Sequence, residues 1–365
     1  MALTFKHPHS SDKRGGGEIS NLLLLKGLLP KHQPIVLCAA GHGLWGKSVD
    51  GVIYYDLSVW FKFFPERVAT MISKLLYTTL ASMWGAYLKP DLVFSGAYDV
   101  VSARRIGWIT GSRVGIMIRA FENFKSKVEA GEKLRSLLKT WVYGDFYAGV
   151  KSLDFIVTNS EFMKKACETE FGRVSQHVIY PPIDIALRPQ STPIGQSLSL
   201  VMVSDATKKG YLVFEQLAVF FDNHTFTVIG ASEDRIKSPE ARPKNLNLLP
   251  WTDQPLTEIA KADIVLVPSQ WEEPFGRIAI EALRSGKITI VSNLGGLPET
   301  VNHEEKLMCQ AESLDHWKIK ITEIQTEYAF YSELSSEVAS STERCTLDVQ
   351  LANFHQIVLR YGKPA

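Results

Sequence analysis

Short runs of apolar, largely β-branched residues recur along this chain, and each is followed by a stretch long enough for a helix. No other feature limits the fold as much. In the first half the runs are "ALTF", "PIVLCAA", "DLVFSG", "VGIMIRA", "DFIVTNS" and "HVIYPP"; in the second they are "LSLVMVS", "HTFTVIG", "NLNLLPW", "ADIVLVPS" and "ITIVSN". A strand that is apolar on both faces needs cover on both, which a parallel sheet between two helical layers supplies. Helical patterning is clear in "EISNLLLLKGLL", "SEFMKKACETEF", "YLVFEQLAVFFD", "RIAIEALRSG" and the amphipathic "LDVQLANFHQIVLRYG". Two such series follow one another, separated by the proline- and serine-bearing "YPPIDIALRPQSTPIGQS". The expected fold class is α/β, with two doubly wound parallel-sheet domains at 1–182 and 183–345. A closing helical segment, 346–365, is expected to pack across both.

The 365 residues give room for two cores, and a 45% hydrophobic, 22% charged composition is that of a globular chain. Four scattered cysteines without a CxxC pair argue against a disulfide framework or a zinc site, and fit a reducing compartment. The polar opening "MALTFKHPHSSDKRGGG" lacks the apolar core of a signal peptide, and no window is apolar enough to span a bilayer. The expected location is cytoplasmic, with peripheral membrane contact open. The net charge of +1 conceals a split: residues 1–182 carry 23 basic against 15 acidic residues, and residues 183–365 carry 17 against 24. The halves then either meet different partners or attract each other. Balanced overall charge and the absence of a recognition motif exclude nucleic acid as the expected partner.

In an open parallel sheet, ligands bind where strands end and loops lead into helices. "QWEEPFG" is such a loop, so Glu273 stands at its mouth and Glu281 about one and a half turns into the helix that follows. Held that way, two carboxylates can grip the two ends of an elongated, hydroxyl-rich ligand. They accept the hydrogen bonds that sugar hydroxyls donate, while free N–H groups at the helix start face an anion. Lys208, Lys209 and Gly210 fall between a strand and a helix, where a phosphate-binding lysine belongs. Gly295 and Gly296 follow the last strand, where a backbone can approach a ligand closely. Singly, these are also an acidic helix start, a solvated lysine pair and a turn. In this order they point to a nucleotide sugar. Glu273 and Lys209 are expected to be exposed in a cleft.

The pieces "GGGE" (15–18), "VTNSEFMKKACETEFG" (157–172), "VIYPPID" (178–184), "KG" (209–210), "PSQWEEPFGRIAIEAL" (268–283) and "SNLGGLPETV" (292–301) resemble, in this order, the glycosyltransferases of family four. The E-P-F-G-x4-E spacing with the following G-G-x-P-E is the most specific element. The resemblance implies a GT-B fold, two Rossmann-like domains facing across a cleft. It implies that Glu273 binds hydroxyls of the transferred sugar, beside the backbone of Phe275 and Gly276. Glu281 would bind the ribose, and Lys209 would neutralise the departing diphosphate. The Gly15, Gly16 and Gly17 loop would face donor phosphates and acceptor, and the base would lie near "LLPW", against Trp251. Retention of anomeric configuration without a metal or other cofactor is also implied, with a nucleotide diphosphate sugar as donor substrate. In the mechanism this implies, a leaving-phosphate oxygen takes the acceptor proton. The acceptor would be a glycan, a lipid-linked sugar or a small molecule.

Two departures from the family pattern stand out. The arginine usually found five residues before the lysine is Ser204, with Lys208 available to compensate. The histidine that many members place near the sugar is missing, since no histidine lies between 43 and 176; the matching strand end, "GIMIRAFENF", offers Arg119 or Glu122. These departures keep a catalytically silent relative, acting as a binding or scaffold subunit, as the alternative. A sugar-nucleotide epimerase would need an acid–base cluster that the sequence does not display. His7 and His9 read as loop residues after the first strand, able to touch the acceptor. The aromatic and basic "VWFKFFPERVATMISKLL" (59–76) either packs on its own sheet or rests on a membrane.

Overall fold

The apolar runs form two sheets. The computed structural model describes residues 2–3, 16–38, 46–57, 66–96, 99–121, 124, 146–188, 197–238 and 242–364. The chain divides into one unit of Met1–Pro182 with Leu347–Ala365 and a second of Ile183–Thr346.

The first unit carries β1 (Ala2–Leu3), β2 (Ile35–Cys38), β3 (Lys47–Val49), β4 (Val52–Asp56), β5 (Leu92–Ser95), β6 (Arg113–Ile118), β7 (Phe155–Thr158) and β8 (His177–Val178). Their order is β3-β4-β2-β1-β5-β6-β7-β8. All neighbours are parallel except β3 and β4. That hairpin was not expected, although its signal is present. Asp50 and Gly51 sit between Val49 and Val52 with φ of 52° and 81°, the left-handed pair that a two-residue hairpin turn requires.

Residues of β7 alternate between two cores. Ile156 joins Leu37, Val93, Ile116, Tyr77, Ala103 and Ile106 on one side, under the helices Glu66–Leu88 and Val100–Thr110. Phe155 and Val157 join Leu24, Phe354 and Ile357 on the other. The last two belong to the C-terminal helix Leu347–Tyr361, whose Tyr361 ring stacks on Phe155 with centroids 4.0 Å apart. The segment expected to pack across both domains thus supplies a helix to the first unit. Burying a Phe or Ile side chain stabilises by roughly 1.5–3 kcal/mol, so this late-arriving helix is a substantial share of that unit's core.

The second unit carries β9 (Ser199–Val203), β10 (Thr225–Ala231), β11 (Leu246–Pro250), β12 (Ile264–Val267), β13 (Ile288–Ser292) and β14 (Met308–Cys309), all parallel, in the order β11-β10-β9-β12-β13-β14. The sheet grows outward from β9 to β11, then restarts at β12 on the other flank. The direction reverses between β9 and β12, the point beyond whose carboxyl ends ligands bind in open parallel sheets.

Candidate active site

Both flanks of that reversal point carry residues singled out in the sequence. After β9 the chain turns through Ser204, which has a φ of 81°, and a short helical turn Thr207–Lys209 to Gly210, then enters the helix Tyr211–Phe220. Gly210 has a φ of 88°, and a Cβ there would come within 1.9 Å of the Pro268 carbonyl oxygen at the end of β12. Only glycine lets the two loops approach this closely. The loop is also pinned from its other side. Asp205 accepts hydrogen bonds from the Ser232 amide (2.9 Å) and hydroxyl (2.6 Å), beyond β10, and faces Arg235. Burial alone would raise the Asp205 pKa; the Ser232 hydrogen bonds and Arg235 outweigh it and hold the carboxyl below its ordinary range.

The loop after β12 presents Glu273. Its carboxylate lies 2.9 Å from the Lys209 ammonium and accepts a short hydrogen bond from the buried Ser269 hydroxyl. The glutamate side chain is 7% exposed and the lysine 31%. The expectation that both are exposed therefore fails for Glu273. The loop after β13 packs against its backbone: Gly296 donates from its amide to the Glu273 carbonyl at 2.7 Å, and Gly295 lies against the same residue. A Cβ at Gly295 would sit 2.4 Å from the Glu273 oxygen, and one at Gly296 would sit 2.6 Å from that of Pro274. The two glycines let bare backbone pack directly against that of Glu273 and Pro274.

Phe275 is buried, and Gly276 (φ 113°) starts the helix Arg277–Arg284 without a side-chain cap. Glu281 lies one turn in and is held by Arg277, whose Nε donates to it at 2.5 Å. Lys208 and Lys209 both lie over the Trp271 ring, at 4.6 and 5.6 Å from its centroid. Ser269, Trp271 and Arg277 went unrecognised in the sequence. Arg277 had a legible signal, since it stands four residues before Glu281 on one helix face.

Lys208, Lys209, Glu273, Phe275, Gly276, Gly295 and Gly296 thus come together, Ser204 stands at the start of the loop that carries the two lysines, and Glu281 follows on the adjoining helix. Trp251 does not join them. It is 40% exposed at the end of the outermost strand β11, two strand spacings or about 10 Å from β9.

In the first unit, Arg119 follows β6 and donates from Nη1 to the Gly17 carbonyl at 2.8 Å, at the start of the helix Gly16–Gly27. Two residues expected at a site from separate motifs are therefore neighbours. Asn159, after β7, donates to the Arg119 carbonyl at 3.2 Å. A Cβ at Gly17 would meet nothing within 4 Å, so the local packing does not require this glycine. Gly15, Glu122, His7 and His9 lie outside the described residues, as does the part of the aromatic and basic segment before Glu66. Among the described residues, no group of three or more His, Cys, Asp or Glu side chains is arranged to hold a metal ion.

Known proteins share this framework. Residues 200–339 match the family described as glycosyl transferases group 1. An uncharacterized 42.6 kDa protein in the cps region of Klebsiella pneumoniae is 32% identical over 95 residues, 25% of this chain and 25% of that protein. The alignments with the curated relatives reach at most a quarter of those proteins' own length. Sucrose-phosphate synthase from Thermosynechococcus elongatus superposes with a TM-score of 0.74 at 14% identity, over 98% of both chains. HepE of Anabaena, in complex with UDP, gives 0.75 at 16% identity, over 98% of this chain and 99% of that one.

Proposed function

Because residues 200–339 match the glycosyl transferases group 1 and the chain has the GT-B fold, we propose that it transfers a hexose from a nucleotide diphosphate sugar to a hydroxyl acceptor, retaining anomeric configuration and using no metal ion. The observation that carries this reading is the Lys209–Glu273 contact at the reversal point of the second sheet, in a loop whose backbone Gly295 and Gly296 pack against.

The chemistry follows from that contact. A departing diphosphate develops negative charge, and fixed positive charge aimed at it lowers the barrier. Lys209 supplies that charge, with Lys208 beside it across Trp271 and the uncapped amides at the start of Arg277–Arg284 adding to it. Glu273, buried and held by Ser269, accepts hydrogen bonds from the sugar hydroxyls. Lys209 faces it at 2.9 Å while also reaching the phosphate. Glu281 takes the ribose hydroxyls when Arg277 yields. The acceptor oxygen attacks the anomeric carbon as the bond to the diphosphate breaks, and its proton passes to a leaving-phosphate oxygen. No protein base is needed. The work of the site is positioning and charge stabilisation.

HepE has been solved with UDP and with UDP-glucose, which supports a uridine diphosphate sugar as the first donor to try. The acceptor is a glycan, a lipid-linked sugar or a small molecule. The test is thermal unfolding with UDP, GDP and ADP sugars, followed by release of nucleoside diphosphate from any donor that binds. One donor should raise the melting temperature, and Lys209→Ala should abolish the shift. If no donor shifts the wild type, the reading is wrong.

A further inference from the structure

The first unit has a surface that catalysis does not use. From Leu75 to Leu88 the helix Glu66–Leu88 has no charged residue, and its inner side supplies Tyr77 and Ala81 to the core. Its outer side is apolar as well. Met83 is 66% and Tyr87 73% exposed, with Leu75 and Leu80 in line with them. The neighbouring helix Val100–Thr110 adds Trp108, 87% exposed, and Ile109. Each helix leads from one parallel strand to the next, so the two run in the same direction. The Ser102 hydroxyl donates to the Thr78 carbonyl at 3.3 Å and fixes their register. Six residues beyond that contact, about 9 Å along each axis, stand Trp84 and Trp108. Trp108 and Ile109 are therefore within about one turn of Met83 and Tyr87 along the axes, and all four are exposed on the solvent side of this helical layer.

That face is rimmed by positive charge. Lys89, Arg104 and Arg105 are exposed, and the two arginines line a hollow of about 720 Å³ with Val101, Trp108 and Arg113, the last paired to Asp154 at 2.7 Å. The unit as a whole is basic. Residues 347–365 add two basic and one acidic residue to the excess of eight in 1–182, giving +9, which leaves −8 for residues 183–346. Large exposed apolar faces mark interaction sites. In the second unit, by contrast, the exposed Phe220 and Phe330 rings each lie under a lysine, Lys318 at 4.7 Å and Lys306 at 4.3 Å.

We propose that the outer face of helices Glu66–Leu88 and Val100–Thr110 docks the protein on an anionic lipid bilayer. Tyr87 and Trp108 sit at the headgroup boundary, Met83 and Leu80 enter the acyl region, and Lys89, Arg104 and Arg105 contact lipid phosphates. Among the described residues no helix is long and apolar enough to cross a membrane, so the attachment lies in the interface. A second copy of the chain fits the face less well, because a symmetric contact would set Arg104 and Arg105 against their own copies. Arg119 and Gly17 lie at the carboxyl ends of the strands rather than in this helical layer, so docking leaves that edge open.

The test uses the full chain, without nucleotide, so its result is independent of the donor-site reading. Protein is co-sedimented with vesicles of phosphatidylcholine alone and with vesicles in which phosphatidylglycerol makes up about a third of the lipid. Anionic vesicles should bind at least about tenfold more protein, and Arg104→Glu with Arg105→Glu should remove about tenfold of that binding. Met83→Glu with Trp108→Glu should do the same with the melting temperature preserved, since both side chains face solvent. Equal recovery with both vesicles, recovery with neither, or indifference to both double variants overturns the proposal. A concentration-dependent dimer dispersed by Met83→Glu in light scattering also overturns it, and assigns the face to a second copy.

Discussion

Both sheets grow outward from a first strand and restart on its other flank, and both place a glycine near the first strand–helix junction, yet the two carboxyl edges are built differently. In the second unit, Gly210, Gly276, Gly295 and Gly296 are each pressed against a neighbour that a Cβ would strike. Lys209, Glu273 and Ser269 are locked together beneath them. In the first unit, Gly17 faces open space, and the only cation placed there by the sequence reading, Arg119, holds a backbone carbonyl. One edge is a preformed mould, whose glycines serve the fold and the site at once. At the other edge a glycine has no packing duty, and its carbonyl is held by Arg119 instead.

Substitution can break this contrast. The largest effect is expected from Glu273→Gln, which keeps shape and the Ser269 contact but removes the charge facing Lys209. Turnover should fall by about 10²–10³ in a donor-release assay, with melting hardly changed. A loss of activity that tracks unfolding would mean the glutamate serves structure alone. Next is Gly210→Ala, expected to destabilise the second unit by about 3 kcal/mol or more through clash and a disallowed backbone. Gly17→Ala should stay within about 0.5 kcal/mol of wild type in urea unfolding. Equal costs at the two glycines would erase the distinction between the edges. Arg119→Ala should remove about 1 kcal/mol, the worth of one hydrogen bond. A larger drop in turnover than in stability would sharpen its case for the acceptor side.

The smallest effect is expected from acid. Burial, then the nearby His355 and Lys31, lowers the His32 pKa; burial, then Arg360, lowers that of His177. His224 of the second unit is lowered chiefly by burial. A histidine lowered in the fold gives support that is complete above the ordinary value near 6.5 and is lost as pH falls through its folded value. Two of these three flank the C-terminal helix, whose His355 ring lies 5.0 Å from His32 and whose Tyr361 bonds His177 at 3.2 Å. Unfolding free energy should therefore decline below about pH 6.5, and His177→Asn should flatten part of the slope. Asp205, lowered as a carboxylate, keeps its loop pinned until pH falls below the ordinary carboxylate range.

The strands were legible because burial on both faces leaves a run such as "ADIVLVPS" little else to be, and β12 falls within it at Ile264–Val267. β4 was lost for want of reading one Asp-Gly turn, and β14 because its two residues carry no pattern. The C-terminal helix was visible as amphipathic, but an apolar stripe says that a helix packs, not against what. At the site, residue types that chemistry restricts could be read at strand ends: lysine for phosphate, glutamate for hydroxyls, glycine for close approach. Their partners could not. That Ser269 holds Glu273, and that Trp271 gathers both lysines, depends on three loops meeting from strands far apart in sequence.

The order in which the protein is made gives the returning helix a further consequence. Synthesis delivers residues 1–182 before residues 347–365, so their core stays open on one side until Phe354, Ile357 and Tyr361 have left the ribosome. The intervening unit is a single uninterrupted stretch, Ile183–Thr346, and can finish while its predecessor waits. A chain stopped at residue 346 would hold every loop of the second unit's candidate site, yet leave Leu24 and Phe155 without Phe354 and Ile357 over them. Completion of the first unit thereby waits on residues made after the whole of the second.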